Sequence, residues 1–252
     1  MTDLVADELV LTSRIMPASN ATFAGQIGDV PVVYKPVDGE RPLWDFPDGN
    51  LARREVAAYA VSEATGWNIV PRTWLREGPL GIGMVQLWQD TDPEQNAIDL
   101  VAADKLPHGW HHVLDGLDAN GEPVALIHED SPALRRMAVF DVVVNNADRK
   151  GGHVLEMSDG HRHGIDHGLT FHAEHKLRTV LWGWIGVDLH TDELVGVELV
   201  RSGLADDLGK TLADLLTHDE IAALTARCDR LVKERQLPAP QGGMPAVPWP
   251  PF

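Results

Sequence analysis

Asn145-Asn146-Ala147-Asp148-Arg149-Lys150-Gly151-Gly152-His153, followed by Gly164-Ile165-Asp166-His167-Gly168, is the stretch around which the chain is organised. It reads as two loops, each bearing an acid. A β-branched run, Val142-Val143-Val144, delivers the chain to the first loop. A short hairpin delivers it to the second: Val154-Leu155-Glu156, a turn at Ser158-Asp159-Gly160, then Arg162 to Ile165. The carboxylates of Asp148 and Asp166 would then face one cleft. Phosphoryl transfer needs such a pair, because there the protein mainly positions groups and neutralises charge. One Asp orients the attacking hydroxyl and a second holds the metal that bridges the nucleotide phosphates. Asp148 suits the first role and Asp166 the second.

The two loops resemble the catalytic and metal-binding loops of the atypical kinases of the phosphatidylinositol 3-/4-kinase-like group, the bacterial HipA-type kinases included. Their pattern is Asn-x-Asp, an Asn five residues after that Asp, and then Ile-Asp-x-Gly. Asn146, Asp148, Arg149, Ile165, Asp166 and Gly168 match, and His153 stands where the family has its metal-holding Asn. An imidazole nitrogen ligates divalent ions but favours softer transition metals over Mg²⁺, so Mn²⁺ joins Mg²⁺ as a candidate for a site made of Asp166 and His153. The resemblance implies an α+β, bilobal protein-kinase-like fold. It divides into a small antiparallel-sheet N-lobe over residues 1–90, a mainly helical C-lobe over 91–236 and a Pro-rich tail over 237–252. It also implies ATP as the phosphoryl donor.

Composition sets outer limits. With 252 residues and 44% apolar content, the chain has enough material for such a body and its core. No run of about 18 apolar residues occurs, so no transmembrane helix is expected. The acidic start, Met1 to Glu8, lacks the basic and apolar regions of a signal peptide. A single cysteine, Cys228, fits a reducing compartment, and the expected location is the cytoplasm. The net charge of -17 argues against nucleic acid and disfavours an anionic membrane surface, both of which are bound largely through neutralised phosphates. The basic residues come at most in pairs, such as Arg53-Arg54 and Arg149-Lys150.

Taken in order, Glu8 to Ile15, Thr22 to Ile27 and Val30 to Tyr34 read as antiparallel strands, the last two joined by a Gly28-Asp29 turn. The turn Pro17-Ala18-Ser19-Asn20-Ala21 is either an ordinary hairpin connection or, as kinase-like folds have it, a cover for nucleotide phosphates through Ser19 and Asn20. Lys35 is the sole lysine among the first hundred residues and ends a β-branched strand, where the family places its nucleotide-binding lysine. A helix is expected from Leu51 to Thr65, with Asn50 as cap, Gly66 as terminator and Leu51, Val56, Tyr59 and Ala60 on its buried side. The resemblance makes Glu55 the partner of Lys35. It also places the adenine-bonding hinge at Gln86, Leu87 and Trp88, where the apolar strand from Gly81 runs into the acidic stretch from Asp90.

Residues 96–129 carry a weaker pattern. His108, His111 and His112 gather around Trp110 and read more readily as a polar helix end than as a zinc site. Ser131-Pro132 starts a helix carrying Leu134, Met137, Ala138 and Phe140. Lys176 and Arg178 either receive an anionic substrate or are ordinary surface charges. Trp182 and Trp184 read as core. Thr217 to Glu220 has the capping-box spacing and opens a last helix, on which Ile221, Leu224, Cys228 and Leu231 share a face.

Three functional classes remain. The leading one is an ATP-dependent phosphotransferase acting on a hydroxyl of a soluble small molecule or protein. The second is a nucleotide-binding module without turnover, suggested by His153 in place of Asn. The third is a metal-dependent hydrolase, suggested by the twelve histidines and by His161-Arg162-His163, although no His-Glu-x-x-His spacing occurs.

Overall fold

The computed structural model describes residues 2–16, 20–40, 46, 51–241 and 245–252. Its N-terminal part is a five-stranded antiparallel sheet in the order β1-β2-β3-β5-β4, made of β1 (Leu9–Arg14), β2 (Phe23–Ile27), β3 (Val30–Pro36), β4 (Thr73–Gly78) and β5 (Gly81–Leu87). The period of two on β3 decides which side each residue serves. Val32 and Tyr34 are buried with Leu9, Ile27 and Val85 in the core of the sheet, and Lys35 points to the opposite face. The Gly28-Asp29 turn puts Gly28 at φ +57°, which glycine adopts without Cβ strain. Gly83 is needed for another reason: a Cβ there would lie 2.5 Å from the Tyr34 ring and 2.6 Å from the Lys35 carbonyl.

Between β3 and β4 runs α1 (Leu51–Thr65), with the expected bounds, and Gly66 follows it at φ +72°. The expected cap, Asn50, lies outside the described residues. The Glu40 carboxylate accepts from the Leu51 and Ala52 N–H groups at 3.1 and 2.7 Å. The buried side differs from the sequence reading. Val56, Tyr59 and Ala60 are only half-buried, whereas Arg54, Glu55, Ala57, Ala58, Val61 and Ser62 are buried. The alanines let neighbouring elements approach closely, and the two charged side chains are buried because each has an ionic partner. Through Ala57, Ala58 and Val61 the helix joins the larger apolar core of the C-terminal part, with Phe140, Val197 and Leu224.

Residues 96–129 depart most from expectation. The histidines do not end a helix. They flank and lie on a three-stranded antiparallel sheet in the order β6-β8-β7, formed by β6 (Ile98–Ala102), β7 (Trp110–Leu117) and β8 (Pro123–Glu129). A register shift between His112 and Leu114 breaks the alternation that would have announced β7. In α2 (Pro132–Val144) the Ser131 hydroxyl accepts from the Leu134 N–H at 3.2 Å, and Val142 to Val144 form the last turn of this helix. Asn145, at φ 54°, stops it.

The hairpin of β9 (Val154–Glu156) and β10 (Arg162–Gly164) follows as read. Then come α3 (Thr191–Gly203), α4 (Asp207–Ala213) and α5 (His218–Glu234), the last carrying the Thr217/Glu220 capping box. Cys228 is buried in the core, and that burial pushes its thiol up to about 12. After α5 the chain returns across the body. The Ala246 carbonyl accepts from Thr179 N–H and Trp182 Nε1, and the Pro251 carbonyl accepts from Gly151 N–H at 2.8 Å. The architecture is thus α+β, an antiparallel sheet first and helices with two small sheets after it. Among the described residues no helix is long and apolar enough to cross a membrane.

Candidate active site

The site starts from the alternation on β3. Because Val32 and Tyr34 face the apolar core, Lys35 faces α1, and its Nζ lies 2.7 Å from Glu55 Oε1. The same Nζ lies 2.7 Å from Asp166 Oδ1. The second oxygen of Glu55, itself 2% exposed, accepts from the His167 N–H at 2.9 Å, so one carboxylate holds both the lysine and the loop that carries Asp166. Burial alone would lower the lysine's pKa, but Asp166 and Glu55 outweigh it and hold the ammonium above its usual range. Lys35 has the reverse effect on Asp166, keeping its carboxyl well below the ordinary value. Half of the Asp166 side-chain surface nevertheless remains exposed. Its backbone is left-handed, φ 60° and ψ 52°, a conformation Asp tolerates better than most residues.

Asp148 is positioned by the end of α2. The Asn146 side chain donates to Asp141 Oδ1 at 2.9 Å and accepts from the Asp148 N–H at 3.0 Å. Beneath them Arg149, fully buried, pairs with the fully buried Asp141 and donates to the carbonyls of His153 and Ile165 and to His167 Nε2. One guanidinium therefore ties the Asp148 loop to the Asp166 loop. Lys150 Nζ stands 3.2 Å from Asp148 Oδ2, placing a cation beside the acid.

His153 bridges the two acids. Its Nδ1 bonds the Asp148 carbonyl at 2.9 Å and its Nε2 lies 3.4 Å from Asp166 Oδ2. A carbonyl only accepts, so Nδ1 carries a proton, and in the neutral ring the Nε2 lone pair is then turned toward Asp166. Burial favours this neutral form and lowers the pKa, against the pull of Asp166. An imidazole nitrogen and a carboxylate facing each other, one bound through its far nitrogen to a carbonyl, are a donor set that fits a divalent ion. Among the described residues no group of three or more His, Cys, Asp or Glu side chains is disposed to hold a metal by itself.

The remaining expectations divide. Ser19 lies outside the described residues, while Asn20 is half-buried next to β2, its carbonyl accepting from the Thr22 hydroxyl. Gln86 is buried and donates to the Thr73 hydroxyl, so its side chain is committed within the sheet. The N–H groups of Leu87 and Trp88 are taken by the carbonyls of Arg72 and Pro31. The histidines that suggested a hydrolase are held by other groups. His161 and His163 bond the carbonyls of Asn68 and Ile69, and His112 pairs with Asp115. Sequence reasoning missed Asp141 and the role of Lys150. Only a buried acid seven residues before Asp148, on the helix face of Ala138 and Asn145, could have announced Asp141.

No family model matches the chain. It is 48% identical over 262 residues to Protein Rv2133c of Mycobacterium tuberculosis, the match covering 99% of this chain and 94% of that protein. The crystal structure of the Helicobacter pylori proinflammatory kinase CtkA aligns with 94% of this chain and 96% of its own, at 13% identity and a TM-score of 0.49.

Proposed function

We propose that this chain, which belongs to the family of the Mycobacterium tuberculosis protein Rv2133c, is an ATP-dependent phosphotransferase acting on a hydroxyl of a soluble small molecule or protein. The observation that carries the reading is the single lysine of β3 held at 2.7 Å by both Glu55 of α1 and Asp166, with Asp148 one loop away. A strand lysine paired to a helix glutamate, a metal-loop acid and a catalytic-loop acid are the parts that phosphoryl transfer requires. They occur in the chain in the order found in the phosphatidylinositol 3-/4-kinase-like enzymes that the sequence resembles.

Lys35, oriented by Glu55, binds nucleotide phosphates. Asp148 receives or orients the acceptor hydroxyl, and Lys150 beside it offsets the negative charge brought by the transferred group. Asp166 and His153 would hold Mg²⁺ or Mn²⁺, which supplies further neutralisation of the phosphates when bound. Two protein donors suit an ion that takes its other ligands from phosphate and water.

The test is incubation of the full chain with ATP and either Mg²⁺ or Mn²⁺, reading intact-protein mass and released phosphate for the wild type, Asp148→Asn and Asp166→Asn. Phosphate added to the protein or released, and lost in both variants, supports the assignment. Absence of turnover together with absence of ATP binding removes it. ATP binding without turnover would select the binding-module reading instead.

A further inference from the structure

We propose that the acceptor carries an anionic group, a phosphate or a carboxylate, received by the guanidinium of Arg178 beside Asp148. This rests on the phosphotransferase reading and names the substrate class of that site. The segment around Arg178 is bound to the catalytic loop by its main chain. Arg178 N–H donates to the Asn146 carbonyl at 2.9 Å, Arg149 N–H donates to the Arg178 carbonyl at 3.1 Å, and Lys176 N–H donates to Asn145 Oδ1 at 3.0 Å. The Arg178 side chain adds a further anchor: its Nε donates at 2.7 Å to the carbonyl of Ala147, the residue immediately before Asp148.

That anchor leaves the guanidinium fixed and its fork unused. Among the described residues its two Nη groups make no hydrogen bond and the side chain no ion pair. The chain is acidic, with 38 acids to 21 bases. Arg54, Arg135, Arg149 and Arg162 each end on a carboxylate, and Arg53, Arg76 and Arg227 place guanidinium N–H groups on main-chain carbonyls. An arginine held rigid within one residue of the candidate catalytic acid, and given no carboxylate in an acidic protein, has the geometry that binds phosphate or carboxylate through two parallel N–H groups. Lys176, paired to the exposed Glu174 at 3.3 Å, adds a second cation to the same strip. An acceptor bearing an acid at one end and a hydroxyl at the other would be oriented with the hydroxyl toward Asp148.

The experiment is a calorimetric titration in two steps on the full chain. The first step loads the protein with the non-hydrolysable analogue AMP-PNP and Mn²⁺, filling the nucleotide site. The second titrates inorganic phosphate, or in a parallel arm acetate, into the loaded protein. We expect one anion site, weakened about tenfold or more by Arg178→Gln. Lys176→Gln, which leaves the Arg178 guanidinium in place, should weaken it about threefold. Binding of phosphate alone assigns a phosphorylated acceptor, and binding of acetate as well assigns a carboxylate. If neither anion binds the loaded protein, or if binding is the same in both variants, the proposal is overturned. A silent first step instead sinks the phosphotransferase reading, and the acceptor site with it. AMP-PNP binding and thermal unfolding are read in each variant, so that a misfolded Arg178→Gln leaves Lys176→Gln to decide.

Discussion

Lys35 and Asp166 are 131 residues apart in the chain and 2.7 Å apart in the cleft. One sits on β3 and the other after β10, so their contact forms only when the sheet is docked on the helical part. Glu55 reinforces that docking by holding Lys35 with one oxygen and the His167 N–H with the other. The ion pair is therefore also a contact that joins the sheet to the loop after β10.

Replacing Lys35 by Met should weaken ATP binding at least tenfold and leave Glu55 buried without its cation. Breaking a pair in which one partner is buried costs about 2–4 kcal/mol, discounted here because Lys35 retains some solvent. Urea unfolding would show it as a lower midpoint with an unchanged slope. Unaltered ATP affinity in a folded Lys35→Met protein would remove the lysine from the nucleotide site.

Arg149 and Asp141 make a second prediction. Both side chains are fully buried, and no apolar side chain at 149 could reach the carbonyls of His153 and Ile165. Arg149→Met should cost about 3–5 kcal/mol, because the Asp141 charge is left in the core without a cation, held only by the Asn146 amide and the Thr179 hydroxyl. The double variant Arg149→Met/Asp141→Asn should recover part of that loss, which a double-mutant cycle measures. Additive effects would mean that the pair does not act as a unit.

Legibility in the sequence followed how local each signal is. α1 was readable to the residue because its terminator, Gly66, and its length are local features, and Ser131-Pro132 and Thr217 to Glu220 announced α2 and α5 for the same reason. β6, β7 and β8 were not readable: a register shift interrupts β7 and its histidines imitate a polar helix end. The buried side of α1 was misjudged because Arg54 and Glu55 are inside on account of partners elsewhere in the chain, Glu220 and Lys35. The two acids of the site were legible as loops. The network beneath them, Asp141 to Arg149 to His167, exists only in three dimensions.

His128 gives the chain a pH dependence that can be assigned. It is fully buried on β8; its Nδ1 donates to the Glu129 carbonyl and its Nε2 accepts from the Gly183 N–H, a pairing only the neutral ring can make. Burial holds its pKa down to about 4 in the folded protein, against the ordinary 6.5. Between those values the unfolded chain binds more protons, so stability is full above about 6.5 and falls as pH drops toward 4. The loss from this residue between pH 7 and 5 is about 2 kcal/mol. His153, His163, His167 and His175 are shifted the same way and add to the slope. Urea unfolding at pH 7 and pH 5 should show a shallower pH dependence in His128→Gln than in the wild type. Identical slopes would mean that His128 does not titrate between them.

Gly151 links the loop that carries Asp148 to Pro251 and Phe252. Its N–H donates to the Pro251 carbonyl, and a Cβ at this position would fall 2.4 Å from Phe252 Cε1. Gly151→Ala should therefore push the half-exposed Phe252 ring aside, at a cost of about 1 kcal/mol. Combining it with Phe252→Ala should abolish most of that cost, which thermal unfolding of the four proteins would reveal. A Gly151→Ala protein as destabilised with as without the ring would place the strain elsewhere.

His153 makes the last prediction, on the choice of metal. Its Nδ1–H is fixed on the Asp148 carbonyl, and in the neutral ring that burial favours, the Nε2 lone pair faces Asp166 Oδ2 at 3.4 Å. A nitrogen donor beside the carboxylate shifts preference from Mg²⁺ toward Mn²⁺. In the presence of AMP-PNP, the wild type should bind Mn²⁺ more tightly than His153→Asn does, by a factor on the order of ten. Mg²⁺ affinity should change little or rise, because Asn presents the hard oxygen that Mg²⁺ takes. Electron paramagnetic resonance reads free Mn²⁺ directly, and competition with Mg²⁺ gives the second affinity without relying on turnover. The same Mn²⁺ to Mg²⁺ ratio in both proteins would leave Asp166 as the metal donor and reduce His153 to a brace between the two loops.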